Sequence, residues 1–323
     1  MKLFKYLSVI FILIALTSVA FAKTLTVESK KQVYDDKQKL ITLEDEVHVT
    51  IDDVNVRSPK AFVTINEHGK PDVATFTDGV HAIQVTKNSK SETKANILKL
   101  SLISKEVEAT GGVDSKIEKL GKPTVTIKSD YQSFNINTNL MEAKDNVVMT
   151  YDDIKATGNA SKIWLSKNGG LDFLKLIGNA TVTQEKVSVS GSEVNLNAKT
   201  EVLTAVGSAY TKVIVDENTT VKIWAQNQQF DNKTNTAIAS GNVKILYNDY
   251  MAIGPKAVML ADEKTHRPDR IVFSGRSKIV EGDKSIEADS IVITVNPKNF
   301  VAEGNVKTQI NNLENLNSEN KGI

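Results

Sequence analysis

The stretch Ala239-Ser-Gly-Asn-Val-Lys-Ile-Leu-Tyr247 joins a Gly-Asn pair to an alternating run of residues. Gly-Asn favours a tight corner of the backbone. In the run that follows, Val243, Ile245 and Tyr247 fall on one side of a strand, and the residues between them fall on the other side. The stretch therefore predicts a corner followed by a strand with one buried face.

The same combination returns along the chain at intervals of 29 to 34 residues. A fixed period of this size is typical of proteins that are built from stacked repeats. In the other copies the first strand residue after the corner is Val47, Val80, Val113, Val147, Ala180, Ala209, Ser277 or Val306.

A longer period lies on top of the short one. When Val47, Val147 and Val243 are aligned, other segments also match at fixed offsets. The matching segments are Leu25-Thr-Val-Glu-Ser29 with Val125-Thr-Ile-Lys-Ser129 and Val221-Lys-Ile-Trp-Ala225, and Gln32-Val-Tyr34 with Gln132-Ser-Phe134 and Gln228-Gln-Phe230. We therefore predict three tandem β-modules at 23–121, 122–217 and 218–308, which are registers of one continuous sheet.

Composition sets limits on partners and on the compartment. A net charge of +1 among 323 residues gives no reason to expect a nucleic-acid partner, which usually leaves a basic footprint on the sequence. Residues 1–22 combine a basic start, a short apolar run and the small-x-small end Ala20-Phe-Ala22, which predicts a signal peptide cleaved after Ala22 and therefore an exported protein. An uncleaved anchor is the alternative. Residues 309–323 are rich in Asn and Glu, which predicts a polar tail.

The sequence offers no set of residues with the spacing that catalysis needs. The four histidines show no metal-ligand spacing, and no serine lies in a nucleophile elbow. Acid pairs such as Asp152-Asp153 fall at hairpin corners, where Asp is favoured for its local backbone bonds. We therefore predict a protein that is not an enzyme and needs no cofactor or metal.

The motifs resemble those of the OstA-like family of periplasmic lipopolysaccharide-transport proteins, which includes LptA and LptC. Ala239-Ser-Gly-Asn-Val-Lys-Ile245 and Ala302-Glu-Gly-Asn-Val306 carry the resemblance best, and it covers about residues 24 to 308. It implies an elongated β-jellyroll of stacked V-shaped antiparallel strands, open at both ends, which carries lipopolysaccharide from the inner to the outer membrane. This chain has three modules, and several of its corners have Asp in place of Gly, so it could be a bridge protein, a fusion or an LptC-like relative.

In such a fold the acyl chains of lipid A would lie between the apolar faces of the strands. Exposing one chain of roughly a dozen CH₂ groups to water costs about 10 kcal/mol, so an apolar slot removes a large barrier. The predicted lining residues are Val47, Val49, Ile51, Val63, Ile65, Val147, Met149, Ile163, Leu165, Leu174, Leu176, Val243, Ile245, Met259, Ile271 and Phe273. From the pattern alone these residues are equally a plain packed core.

The terminal strands of a stacked repeat are open edges to which another strand can add. We therefore expect pairing with jellyroll transport components at the inner and outer membranes, or head-to-tail association of several copies. The alternative is a secreted structural or adhesive β-solenoid that carries no lipid. Such a solenoid would have a filled core and would use its outer face.

Overall fold

The computed structural model describes residues 25–311, apart from 52, 122, 136, 167–170, 215–216, 218–219, 263–267 and 295–298. Within these residues the chain forms an antiparallel β-sheet of 22 strands and contains no helix, which confirms the all-β prediction. The predicted signal peptide at 1–22 lies outside the described residues, as does the predicted tail beyond residue 311.

The strands follow one another at short intervals. In chain order they are β1 Leu25–Glu28, β2 Lys31–Asp35, β3 Leu40–Ile51, β4 Val54–Ile65, β5 Pro71–Thr77, β6 Val80–Val85, β7 Ser89–Ala95, β8 Ile97–Ser101, β9 Glu106–Lys119, β10 Val125–Asn135, β11 Leu140–Tyr151, β12 Ile154–Leu165, β13 Leu171–Gln184, β14 Val187–Asn197, β15 Val202–Ile214, β16 Thr220–Asp231, β17 Thr236–Tyr247, β18 Tyr250–Ala261, β19 Pro268–Glu281, β20 Lys284–Thr294, β21 Asn299–Glu303 and β22 Lys307–Ile310.

The chain divides into two compact units, one of residues 8–180 and one that includes residues 181–323. In the first unit, described pairings link β1 through to β12, and in the second they link β14 through to β22. Every one of these pairings is antiparallel. Most of the long strands therefore pair with the strands directly before and after them in the chain, as expected for a repeat architecture.

Four pairs of short strands act as single bent strands. β4 pairs with β5 along one half and with β6 along the other, and β9 pairs in the same way with β8 and β7. The pair β1 and β2 lies along β3, and the pair β21 and β22 lies along β20. We call each full-length bent strand a layer, and each of its halves an arm.

Equivalent turns begin at equivalent places in the three predicted modules. At the end of β2, the Oδ1 atom of Asp35 accepts hydrogen bonds from the N–H groups two and three residues later, at 2.9 and 3.0 Å. Asn135 after β10 and Asp231 after β16 do the same. Such Asx turns let the side chain replace a backbone partner at a tight reversal. The 96- to 100-residue match seen in the sequence therefore extends to the local geometry of the hairpins.

Candidate functional site

The predicted corners lie inside the layers and bend them. At eight of the nine corners both residues have positive φ. At the ninth corner, Gly275-Arg276, only Gly275 has positive φ. At Asp45 and Glu46, for example, φ is 60° and 54°, and the pairing with β4 shifts register between Glu44 and Val47. An extra residue in one strand bends it and increases its twist. The sequence predicted a strand that starts after each corner, whereas in the structure the layer continues through the corner.

Layers without a corner pair present one residue to the corner of the neighbouring layer. In β18 this residue is Pro255, and a Cβ atom added to Gly275 of β19 would lie 2.6 Å from its Cγ atom. In β20 the residue is Asp289, which accepts a hydrogen bond from the Asn305 amide at 2.7 Å. Asn146 donates to Asp130 in the same way at 2.8 Å. The bends therefore stack tightly from layer to layer.

Each bend lets the apolar sides of the two arms meet. In the first unit, one core cluster joins Leu43 and Phe76, on the arms before the bends, with Val49 and Val80, on the arms after them. In the second unit, a core cluster joins Phe273 with Val243 and other residues across the bends. The interior is thus apolar and lies between the arms of V-shaped layers.

The interior is buried beside the bends, and in β17 and β4 it becomes more accessible toward the ends of the arms. In β17 the relative exposure of successive inward residues rises from 0% at Val243 through 8% at Ile245 to 38% at Tyr247. In β4, Ala61 beside the bend is fully buried, and the later inward residues of that strand are only partly buried. In these two strands the apolar interior is therefore more accessible at the arm tip than at the bend, whereas Tyr151 and Val213, near the tips of β11 and β15, are each only 7% exposed.

The predicted lining residues with described side chains lie on the buried or partly buried faces of their strands. Those that are buried are Val47, Val49, Val147, Met149, Ile163, Leu165, Leu174, Leu176, Val243, Ile245 and Phe273. Those that are partly buried are Val63, Ile65, Met259 and Ile271. The side chain of Ile51 lies outside the described residues. Whether these residues contact lipid remains a prediction.

Polar side chains also enter the interior, and the alternating pattern missed them. Gln228 of β16 accepts a hydrogen bond from Thr211 Oγ1 at 2.5 Å, and its amide donates to the carbonyl oxygens of Ala209 and Ile223, each at 3.1 Å. Gln132 of β10 accepts from Ser115 Oγ at 2.7 Å. Both glutamines occupy the same position in their modules. The 96-residue period could therefore have predicted that they share a role.

The outer face carries charges and paired aromatic rings. Glu142 lies 2.7 Å from Lys162 Nζ on the neighbouring strand, and this hydrogen bond lowers the pKa of the Glu142 carboxyl despite its partial burial. Tyr210 and Trp224 pack with their ring centroids 5.3 Å apart. These groups stabilise neighbouring layers through cross-strand contacts.

Three comparisons place these features beside known proteins. No protein-family model matches the chain, and no curated protein matches it. A solved structure does match. It is the crystal structure of LptH, the LptA-homologous periplasmic component of the lipopolysaccharide transport device from Pseudomonas aeruginosa, with a TM-score of 0.35 and 12% identity. The match covers 40% of this chain and 95% of that chain.

The candidate site is the apolar interior between the arms of the layers in each unit. Among the described residues, no group of three or more His, Cys, Asp or Glu side chains could hold a metal ion. No helix that is long and apolar enough to cross a membrane occurs in the part of the chain that the structure describes.

Proposed function

We propose that this chain is a periplasmic lipid-binding and transport protein of the LptA/OstA type, which carries lipopolysaccharide from the inner to the outer membrane. The supporting observation is the largely apolar interior between the arms of the layers, which in β4 and β17 becomes more accessible from the bend toward the arm tip. An amphiphile fits such a slot with its acyl chains between the arms and its polar head outside.

No bond has to be made or broken for this role. Moving an acyl chain of about a dozen CH₂ groups from water into an apolar slot is favourable by about 10 kcal/mol. A lipid with several chains would therefore remain in the slot and pass along it without entering water. Transport proteins at each membrane would receive the lipid if their sheets paired with the terminal layers.

The test is photo-crosslinking in cells with a photoreactive amino acid placed at single positions. Ile245 and Leu165 face inward and are each 8% exposed, so adducts with lipopolysaccharide are expected at both positions. Lys244 and Trp164 are the matched controls, because each is the outward-facing neighbour of a test position. Equal labelling at inward and outward positions, or none at either, would overturn the proposal.

The competing function is a secreted structural or adhesive β-solenoid. Its core would be filled by its own side chains, and replacing Leu165 would change stability without changing the lipid that co-purifies with the protein. Mass spectrometry of the purified chain separates the two functions. Bound lipid that disappears when an inward residue is replaced by Asn supports carriage, and lipid-free protein from all variants supports the solenoid.

A further inference from the structure

One layer of the first unit has a polar arm and an apolar arm. This layer consists of β7 and β8. On β7 the buried inward residues are Ser91, Thr93 and Ala95, and on β8 they are Leu98 and Leu100. Ala95, Leu98 and Leu100 belong to the same core cluster, so the two arms line one interior. This part of the interior therefore has hydroxyl groups on one wall and only hydrocarbon on the other.

The fold does not require a hydroxyl group at these positions, because the second predicted module has valine there. Asn96, between β7 and β8, and Ser192 of β14 each lie against the bend glycine of the following layer. Asn96 and Ser192 are thus equivalent, and the residue five positions before each is Ser91 in one module and Val187 in the other. Val187 is also buried.

The second hydroxyl-bearing residue of β7 has the same kind of counterpart. By the same count Thr93 corresponds to Val189, which is fully buried. Both modules thus form this strand around an interior, and only the first module places hydroxyl groups in it. A buried hydroxyl group is unfavourable unless it finds a partner. The hydroxyl groups of β7 therefore indicate a role other than packing.

Polar residues of the neighbouring layers extend the polar wall. Gln84 of β6 faces Ser91, and Ser115 of β9 faces Thr93. Gln84 and Ser115 are both buried, and the hydroxyl oxygen atoms of Thr93 and Ser115 lie 3.1 Å apart in a hydrogen bond. We call Gln84, Ser91, Thr93 and Ser115 the interior polar patch. It spans three adjacent layers.

Two polar atoms at this patch lack a partner among the described residues. One is the hydroxyl oxygen of Ser91. The other is Oδ1 of Asp53, in the turn between β3 and β4, which is buried, whereas Oδ2 of the same carboxylate accepts a hydrogen bond from Gln84 Nε2 at 3.2 Å. Buried polar atoms of native proteins nearly always have a partner, so unpaired ones indicate a place for water or a ligand. The patch therefore has an unused donor and an unused acceptor.

A positive charge lies at the arm tip beside the patch. Lys119 and Ser89 face each other at the tips of β9 and β7. Lys119 follows Ser115 and Ile117 on the same face of β9, because the side chains of a strand alternate. It is partly buried and forms no ion pair with another described residue. This end of the patch therefore suits a phosphate group.

From these observations we propose that the interior polar patch binds the junction between the head group and the acyl chain of a phosphate-bearing amphiphile. Ser91 Oγ donates to an ester or amide carbonyl of the ligand, and Asp53 Oδ1 accepts from its hydroxyl or amide N–H group. The acyl chain lies against Leu98 and Leu100, and the phosphate lies near Lys119. This inference rests on the proposed function and adds which part of the lipid is held, and by which residues.

Two amphiphiles that differ at this junction test the proposal. Lauroyl lysophosphatidylcholine has an ester and a hydroxyl group between its acyl chain and its phosphocholine head, whereas dodecylphosphocholine joins the same head directly to an alkyl chain of equal length. Replacing Ser91 by valine, the residue that β14 has, is expected to weaken binding of the lysolipid about three- to tenfold in titration calorimetry below micelle-forming concentrations. Binding of dodecylphosphocholine should change by less than about twofold.

Leu98→Val is the matched control on the apolar arm, and it should weaken binding of both amphiphiles to the same extent. Ser91→Ala removes the hydroxyl group without adding bulk, so it gives the same comparison if the valine variant does not fold. An unchanged affinity for the lysolipid, or an equal loss for both amphiphiles, would overturn the proposal. In the first case the Ser91 hydroxyl group would hold water only, and in the second it would only shape the interior.

Alkylation of single cysteines gives a second measurement, because the chain has no cysteine of its own. N-Dodecyl bromoacetamide carries its reactive carbon atom at the junction between head and chain. Relative to plain bromoacetamide, it should react several-fold faster with the full chain carrying Ser91→Cys than with the full chain carrying Leu100→Cys, on the opposite arm of the same layer. Equal ratios, or a higher ratio at position 100, would contradict the orientation of the ligand.

The two proposals can fail separately. Lipopolysaccharide adducts from Ile245 without any effect of Ser91→Val would remove the role of the polar patch and leave lipid carriage intact. A loss of lysolipid binding alone in Ser91→Val, without lipopolysaccharide adducts, would do the reverse. If the unchanged protein binds neither amphiphile, the role of the polar patch is excluded whatever the adducts show.

Discussion

Replacing Gly275 by alanine tests how tightly the bends stack. Gly275 has φ +85°, a conformation that costs a residue with a Cβ atom about 1–2 kcal/mol. The new Cβ atom would also lie 2.6 Å from Cγ of Pro255, whose ring cannot rotate away. Overpacking at such a contact costs about 1–3 kcal/mol. The expected loss in free energy of unfolding is therefore about 2–5 kcal/mol.

Gly282 provides a matched control in the same strand–turn region. It has φ +53°, and a Cβ atom added there meets nothing within 4 Å. Gly282→Ala should therefore cost only the backbone term, about 1–2 kcal/mol. The difference in free energy of unfolding between the two variants isolates the cost of the contact with Pro255. Adding Pro255→Ala to Gly275→Ala removes the ring, and about 1–3 kcal/mol should be recovered in that double variant.

The assay is urea unfolding followed by tryptophan fluorescence. The chain has two tryptophans, and Trp224 lies in the same compact unit as Gly275, whereas Trp164 lies in the other unit. In a Trp164→Phe background the signal reports one unit, which supports a two-state treatment. If Gly275→Ala costs no more than Gly282→Ala, or if Pro255→Ala recovers nothing, the bends are not close-packed.

Two further predictions concern polar groups. Gln228→Ala should cost about 2–4 kcal/mol in urea unfolding, because it removes two buried hydrogen bonds and one partly buried one. Gln32→Ala at the exposed equivalent position should change stability by less than about 0.5 kcal/mol. Equal costs would contradict the role of the buried network. The hydrogen bond to Lys162 lowers the pKa of the Glu142 carboxyl from its ordinary value near 4.5. The stability that this bond gives the fold is therefore complete above about pH 4.5, and it is lost as the pH falls through the lowered pKa. Glu142→Gln should therefore reduce the difference in stability between pH 6 and pH 3, and an unchanged difference would contradict the assignment.

The sequence predicted the features that follow from short-range chemistry. Gly, Asn and Asp pairs such as Gly241-Asn242 marked the bends, because these residues adopt positive φ at low cost. Alternation then identified which residues face inward, since side chains change face at every residue of a strand. Every predicted lining residue with a described side chain, from Val47 to Phe273, is buried or partly buried.

Features that depend on the neighbouring layer were not predicted. A Gly-Asn pair looks the same before a strand and inside one, and only pairing with a partner such as β18 shows that β17 continues through its bend. Gln132 and Gln228 look like outer-face residues until their partners Ser115 and Thr211 are known. The division into three modules remains a prediction, and the chain separates into two compact units at residue 180.

β9 pairs with β10 in the register in which β15 pairs with β16, so that Lys128 and Asp114 face each other where Trp224 and Tyr210 do in the next pair. This equivalence bears on how the gene arose. If a shorter ancestor with one module assembled end to end, tandem duplication would have converted contacts between separate chains into covalently linked ones without new surface chemistry. A single-module gene product built from residues 122–217 should polymerise on its own, and a strictly monomeric product would exclude this origin.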